Sequence, residues 1–265
     1  MFMKVIKLWN KLPEIYLEGE YEPTLEYYPS EHKSAKGAVI ICPGGGYHMK
    51  AGHEGAGYAY YLNARGVDCF VLKYTTSAEN TKTMFPKPQL ELRRAVRYVR
   101  ANSEKYGIDP DKISVMGSSA GGHLALSCGA YRDALIGEGV DEIDAIDFMP
   151  NGQILCYPVT TPDSHFPSYE NLLGERAEEL CEALNPVSHT DEKTPKTFLW
   201  HTATDKLVKV SGVYRLAMEL DKHQVTHEVH IFPFGPHGLG ITPADDHVAQ
   251  WGKQLMLWLK DCNLI

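Results

Sequence analysis

No apolar run in this 265-residue chain approaches the roughly 18 residues that a membrane-crossing helix needs, so nothing points to a membrane partner. The start, Met1-Phe2-Met3-Lys4-Val5-Ile6-Lys7-Leu8-Trp9, lacks the apolar core and small-residue cleavage site of a secretory signal, and a cytoplasmic location is the expectation. Cysteine is sparse and scattered: Cys42, Cys69, Cys128, Cys156, Cys181 and Cys262 include no C-x-x-C pair. Such spacing argues against a disulfide framework or a zinc site and for buried, reduced thiols. Basic residues are outnumbered, 26 Lys+Arg against 34 Asp+Glu, for a net charge of -8. With no Lys/Arg cluster either, a nucleic-acid partner is not expected. Internal repeats and low-complexity tracts are absent as well.

What is present fits an ordinary globular domain. Apolar residues make up 43% and charged residues 23%, enough to bury a substantial core, and residues 1–265 are expected to form a single domain. Ala38-Val39-Ile40-Ile41-Cys42 is a short continuous apolar run, the pattern of a strand buried on both faces. Similar runs recur at 67–74, 112–116, 153–157, 197–201 and 226–232, with weaker alternation at 24–28. Helical patterns separate them, at 56–66, about 89–106, after 119, 208–223 and about 246–260. In the 89–106 helix, Leu92, Ala95, Val96 and Val99 mark the buried stripe, and Arg93, Arg94, Arg97 and Arg100 are expected to form a solvated face. Strand-helix alternation of this kind predicts an α/β fold with a mainly parallel central sheet and helices on both faces. Residues 159–195, carrying Pro162, Pro167, Pro186 and Pro195 and a short acidic helix near 175–183, read as a small cap or insertion.

The chemistry centres on Gly117-Ser118-Ser119-Ala120-Gly121, placed between the strand Ile113–Met116 and a small-residue helix. A G-x-S-x-G in that context is a nucleophile elbow, with Ser119 projecting from a tight turn and small residues on either side to avoid the neighbouring backbone. A serine hydroxyl needs a base to take its proton and an acid to hold that base. Both follow on loops after later strands, Asp205 in His201-Thr202-Ala203-Thr204-Asp205 and His237 in Phe234-Gly235-Pro236-His237-Gly238. Donors for a developing oxyanion would be the Ala120 N–H and the glycine loop Pro43-Gly44-Gly45-Gly46-Tyr47, through Gly45 or Gly46. Tyr47, His48, His53 and Glu54 lie beside that loop, where they either touch substrate or brace it.

Taken together, Pro43-Gly44-Gly45-Gly46-Tyr47, His53-Glu54-Gly55, the elbow, Asp205 and His237 make the chain resemble the α/β-hydrolases of the esterase/lipase group. More narrowly it is similar to bacterial acetylxylan esterase-like carboxylesterases with a P-G-G-G-Y loop. Pro43 stands where the hormone-sensitive-lipase pattern has the histidine of its H-G-G-G loop. The resemblance implies the α/β-hydrolase fold and hydrolysis of short acyl esters, such as acetyl groups on sugars or xylo-oligosaccharides. It also implies an acyl-enzyme on Ser119, formed without a metal or organic cofactor. A small peptidase or amidase on the same fold is the nearest alternative, and a non-catalytic binding protein the more distant one.

Overall fold

The computed structural model describes residues 3–79, 81, 84–241 and 247–265. Strands β1 (Lys4–Lys7), β2 (Thr24–Tyr28), β3 (Ala38–Cys42), β4 (Asp68–Lys73), β5 (Ile113–Ser118), β6 (Gly152–Cys156), β7 (Lys196–Thr202) and β8 (His227–Phe232) form one sheet, ordered β1-β2-β4-β3-β5-β6-β7-β8. β2 runs antiparallel to both β1 and β4, and every pairing from β4 through β8 is parallel. Helices α1 (Ala56–Asn63), α2 (Lys87–Ala101), α3 (Ser103–Tyr106), α4 (Ala120–Ala130), α5 (Phe166–Leu173), α6 (Ala177–Leu180), α7 (Ser211–Lys222) and α8 (Gln250–Asp261) complete it. The sequence pattern starts α8 at about Asp246, which lies outside the described residues.

The two-residue period of a strand explains why the central strands are apolar throughout. Alternate residues point to opposite faces, so Ile40, Cys42, Phe70 and Leu72 join Leu92, Val96, Leu124 and Leu216 in one core cluster, on the side of α2, α4 and α7. Val39, Ile41, Cys69 and Val71 join Tyr58, Leu62, Trp251 and Leu255 in the other, on the side of α1 and α8. Both faces are therefore dry, as parallel sheets require. All six cysteines are buried and unpaired, as their scatter predicts. No helix among the described residues is long and apolar enough to cross a membrane.

One expectation fails. The arginines of α2 do not form a solvated face: Arg93, Arg94 and Arg97 are only 1%, 2% and 6% exposed. Arg94 reaches Asp141 at 2.5 Å and Asp144 at 2.9 Å, and its Nε donates to the Leu8 carbonyl. Arg93 and Arg97 share Glu138, while Arg100 donates to the carbonyls of Asp147 and Met149. Helical periodicity correctly marks Leu92, Val96 and Val99 as apolar contacts but carries no information about the 131–149 segment that folds over the opposite face. Residues 159–195 are also more helical than read, since α5 lies there ahead of the acidic turns at 174–180.

Removing the cation from a buried ion cluster leaves its carboxylates without compensation, at about 3–5 kcal/mol. Arg94→Met should lower the urea-unfolding free energy by that order, and a loss below about 1 kcal/mol would show the cluster to be no more than a surface pair.

Candidate active site

Four loops leave the C-terminal ends of β3, β5, β7 and β8, and each delivers one part of the site. After β5 the chain turns at Ser119 with φ 53° and ψ -123°, far from the regions that side-chain-bearing residues favour. Such a residue typically costs about 1–3 kcal/mol and survives only where its surroundings fix it. Here the Ser119 N–H donates to the Cys156 carbonyl, and the Ser119 carbonyl accepts from Val159 and His123. Close backbone approach does the rest. A Cβ at Gly117 would overlap the Gly121 carbonyl, and one at Gly121 would overlap the carbonyls of Cys42 and Pro43.

The serine, the histidine and the acid meet. His237 Nε2 is 2.9 Å from Ser119 Oγ, and His237 Nδ1 is 2.6 Å from Asp205 Oδ2. Because a carboxylate only accepts, Nδ1 carries the proton and Nε2 is left to accept from the serine. The Asp205 side chain is fully buried. Its Oδ1 accepts from the Leu207 and Val208 N–H groups, and His201 Nε2 lies 3.2 Å from Oδ2. Burial pushes this carboxyl up, but hydrogen bonds from His201, His237 and the Val208 N–H outweigh it and hold it well below the usual carboxylate range. The acid therefore stays ionised at any pH near neutrality and can stabilise a cationic imidazole.

The glycine loop closes the site from the β3 side. Gly45 has φ +129°, and a Cβ there would overlap the Met49 carbonyl, so only glycine fits. The Gly45, Gly46 and Ala120 N–H groups donate to no protein acceptor among the described residues, and Ala120 also opens α4, where helical N–H groups are unpaired. Although Pro43 replaces the bracing histidine of related loops, bracing is present. The Tyr74 hydroxyl donates to the Pro43 carbonyl at 2.6 Å, Asn171 Nδ2 to the Gly46 carbonyl at 2.8 Å, and Gly44 N–H to Glu54 Oε2 at 2.8 Å.

Among the four neighbours expected to touch substrate or brace the loop, the structure separates two from any substrate. Tyr47 is fully buried and hydrogen-bonds His123, and Glu54 is 3% exposed beneath the glycines. His48 and His53 are exposed: His48 Nδ1 lies 3.1 Å from Ser77 Oγ, and His53 Nε2 donates to the Gly238 carbonyl at 2.9 Å. Two histidines outside the predicted set interact with triad side chains. His201 backs Asp205, and its position four residues before the acid, at the end of β7, was the available signal. His165 opens α5, bonds Ser168 Oγ at 2.8 Å, and has its pKa lowered by burial and by the charge of His237; no local pattern marks it. An open depression of about 450 Å³ abuts His237, lined by Thr204, Lys206, Leu207, Gly235 and Pro236. A slightly larger groove, about 490 Å³, lies at Tyr28, His32 and Tyr60 and includes none of these residues.

A protein-family model described as BD-FAE matches residues 26–220. The chain is 32% identical over 248 residues to the endo-1,4-beta-xylanase B of Butyrivibrio fibrisolvens, covering 89% of this chain and 39% of that protein. It is 29% identical over 234 residues to the acetylxylan esterase of Xylanibacter ruminicola, covering 84% and 45%. The chain thus spans less than half the length of these curated relatives. Among solved structures, the acetyl ester-xyloside bifunctional hydrolase of Caldicellulosiruptor lactoaceticus superposes with a TM-score of 0.90 at 36% identity, covering 99% of this chain and 97% of that one.

One turn beyond Ser119, His123 is held in the apolar interior with its Nδ1 at 2.8 Å from the Tyr47 hydroxyl and its Nε2 unpartnered. Burial pushes its pKa down to about 3, whereas an unfolded-chain imidazole titrates near 6.5. Between those values the unfolded chain binds the proton and the folded one does not. The stability held by neutral His123 is therefore complete above about pH 6.5 and declines as pH falls toward about 3. In urea unfolding, the stability gap between wild type and His123→Asn should shrink from about pH 7.5 to about pH 4.5; a constant gap would contradict the buried neutral state.

Proposed function

This chain belongs to the BD-FAE family of α/β-hydrolases, and from that premise we propose that it is a serine carboxylesterase acting on short acyl esters, with acetyl groups on sugars or xylo-oligosaccharides as the substrates. The observation that carries this reading is the unbroken run from Ser119 Oγ through His237 to Asp205, at 2.9 and 2.6 Å, opposite three N–H groups without a protein acceptor among the described residues. The sugar-ester assignment is supported by the names of the acetylxylan esterase and acetyl ester-xyloside hydrolase to which the chain is similar.

In this mechanism His237 Nε2 takes the Ser119 proton as Oγ bonds to the acyl carbon, and the carbonyl oxygen becomes an oxyanion. Gly45, Gly46 and Ala120 N–H groups donate to it, each worth about 3–4 kcal/mol in the transition state. Collapse breaks the bond to the alcohol, which leaves with the proton from His237. Water then repeats the sequence on the acyl-enzyme, while Asp205 keeps the imidazole in one tautomer and stabilises its cation. Residues 159–195 act as a cap on a single domain, a role supported by Asn171 donating to the Gly46 carbonyl. A cytoplasmic setting rests on the six unpaired thiols.

Initial rates on acetyl, butyryl and octanoyl nitrophenyl esters, with acetylated xylo-oligosaccharide alongside, test this. Wild type should favour the acetyl ester and release acetate from the oligosaccharide, and Ser119→Ala and Asp205→Asn should each lose roughly 10³- to 10⁴-fold in kcat. Absence of ester turnover, or turnover that survives Asp205→Asn, would contradict the reading and favour an amidase or a binding role.

A further inference from the structure

Glu54 poses a physical problem that the triad leaves unexplained. Its carboxyl is 3% exposed, and the nearest cationic candidate, His53 Nε2, is 3.8 Å away on a side chain 59% exposed to solvent. Burying a carboxylate without a paired cation is expensive unless both oxygens are hydrogen-bonded. Both are: Oε2 accepts from the Gly44 N–H at 2.8 Å and Oε1 from the Tyr157 hydroxyl at 2.7 Å.

Those two partners lie on different parts of the site. Gly44 immediately precedes the oxyanion glycines Gly45 and Gly46. Tyr157 follows β6 with φ +35°, an unfavourable value for a side-chain-bearing residue. Its hydroxyl accepts from the Gly240 N–H at 2.9 Å, three residues after His237, and its ring meets the His237 ring edge-on with centroids 5.0 Å apart. The same hydroxyl is 3.1 Å from the Tyr58 hydroxyl, which is 2.7 Å from Ser118 Oγ, beside the nucleophile. Since Tyr157 has one proton and gives it to Glu54, the hydroxyl chain runs in one direction: Ser118 donates to Tyr58, Tyr58 to Tyr157, and Tyr157 to the carboxylate. One acceptor at its end thus fixes the oxyanion loop, the nucleophile strand and the histidine loop relative to one another.

We propose that Glu54 is a positioning residue for the esterase reaction, setting the oxyanion donors against Ser119 and His237 through Gly44 and Tyr157. The inference rests on the triad reading and adds that Glu54 and Tyr157 act as one unit. A glutamine at 54 keeps the volume, but its amide can accept only on one side and must present a donor to the other partner. Tyr157→Phe keeps the ring and removes the link to Gly240.

Three variants test it in the whole chain: Glu54→Gln, Tyr157→Phe and the double variant, each read by kcat, KM and the rate of Ser119 phosphorylation by diethyl nitrophenyl phosphate. Each single variant should lose roughly tenfold to a hundredfold in kcat with KM within about twofold, because sub-ångström misplacement is felt in the transition state. Phosphorylation should slow by a similar factor. The double variant should lose no more than the worse single one, as residues acting as a unit do. Overturning results are single variants with kcat within about threefold of wild type, or losses that multiply in the double variant. A lowered melting temperature with unchanged kcat is the first of these, and identifies a purely structural carboxylate. If wild type turns over no ester and is not phosphorylated at Ser119, the triad reading itself fails and this inference goes with it. If wild type reacts and the variants match it, only the role of Glu54 is lost.

Discussion

The strained turn at Ser119 is the constraint on which the site depends. A residue held at φ 53° by hydrogen bonds to Cys156, Val159 and His123 cannot relax without shifting β6 and α4 together. α4 is buried along its whole length, and it packs so near β3 that Gly121 has room only for hydrogen against the Cys42 carbonyl. The same proximity brings the glycine loop after β3 opposite the first N–H of α4. A tight elbow, a dry helix and the glycine loop facing the first turn of α4 are thus one geometric arrangement, and loosening any part of it moves the others.

Around that centre, polar groups in the interior are satisfied in ways that also align loops. Asp205 gathers two backbone N–H groups and two imidazoles, so its charge is stabilised where water cannot weaken it. The contact between Glu54 and Tyr157 ties loops that arise 103 residues apart in the chain. Farther out, the α2 arginines pin the 131–149 segment over the helix that flanks α4. Low local dielectric makes each of these contacts strong when complete and damaging when broken.

How much of this was legible in the sequence depends on how local the cause was. β3 and the elbow were read with near-residue accuracy, because a run such as Ala38–Cys42 between turn residues and a G-x-S-x-G after a strand have few other solutions. The placement of Asp205 and His237 after strands is legible in the sequence, and the structure joins Asp205 to His237 and His237 to Ser119. The burial of the α2 arginines is not legible, because periodicity shows which face is apolar but not what covers the other. Tyr47 and Glu54 sit beside the glycine loop in sequence, yet whether they point to substrate or beneath the loop is decided by His123, Gly44 and Tyr157, which no local pattern connects. His165 carries no local signal for the same reason: its electrostatic link to His237 arises only where α5 packs.

The central claim is that Ser119 becomes acylated. Rapid mixing of the protein with an acetyl ester, acid quenching within the first turnovers and mass analysis of the digested chain would test this most directly. The account predicts one acetyl group on the peptide containing Ser119, formed in a burst and absent from Ser119→Ala. Ester turnover with no acetylated Ser119, or an acetyl group on another residue that is chemically competent for turnover, would contradict it.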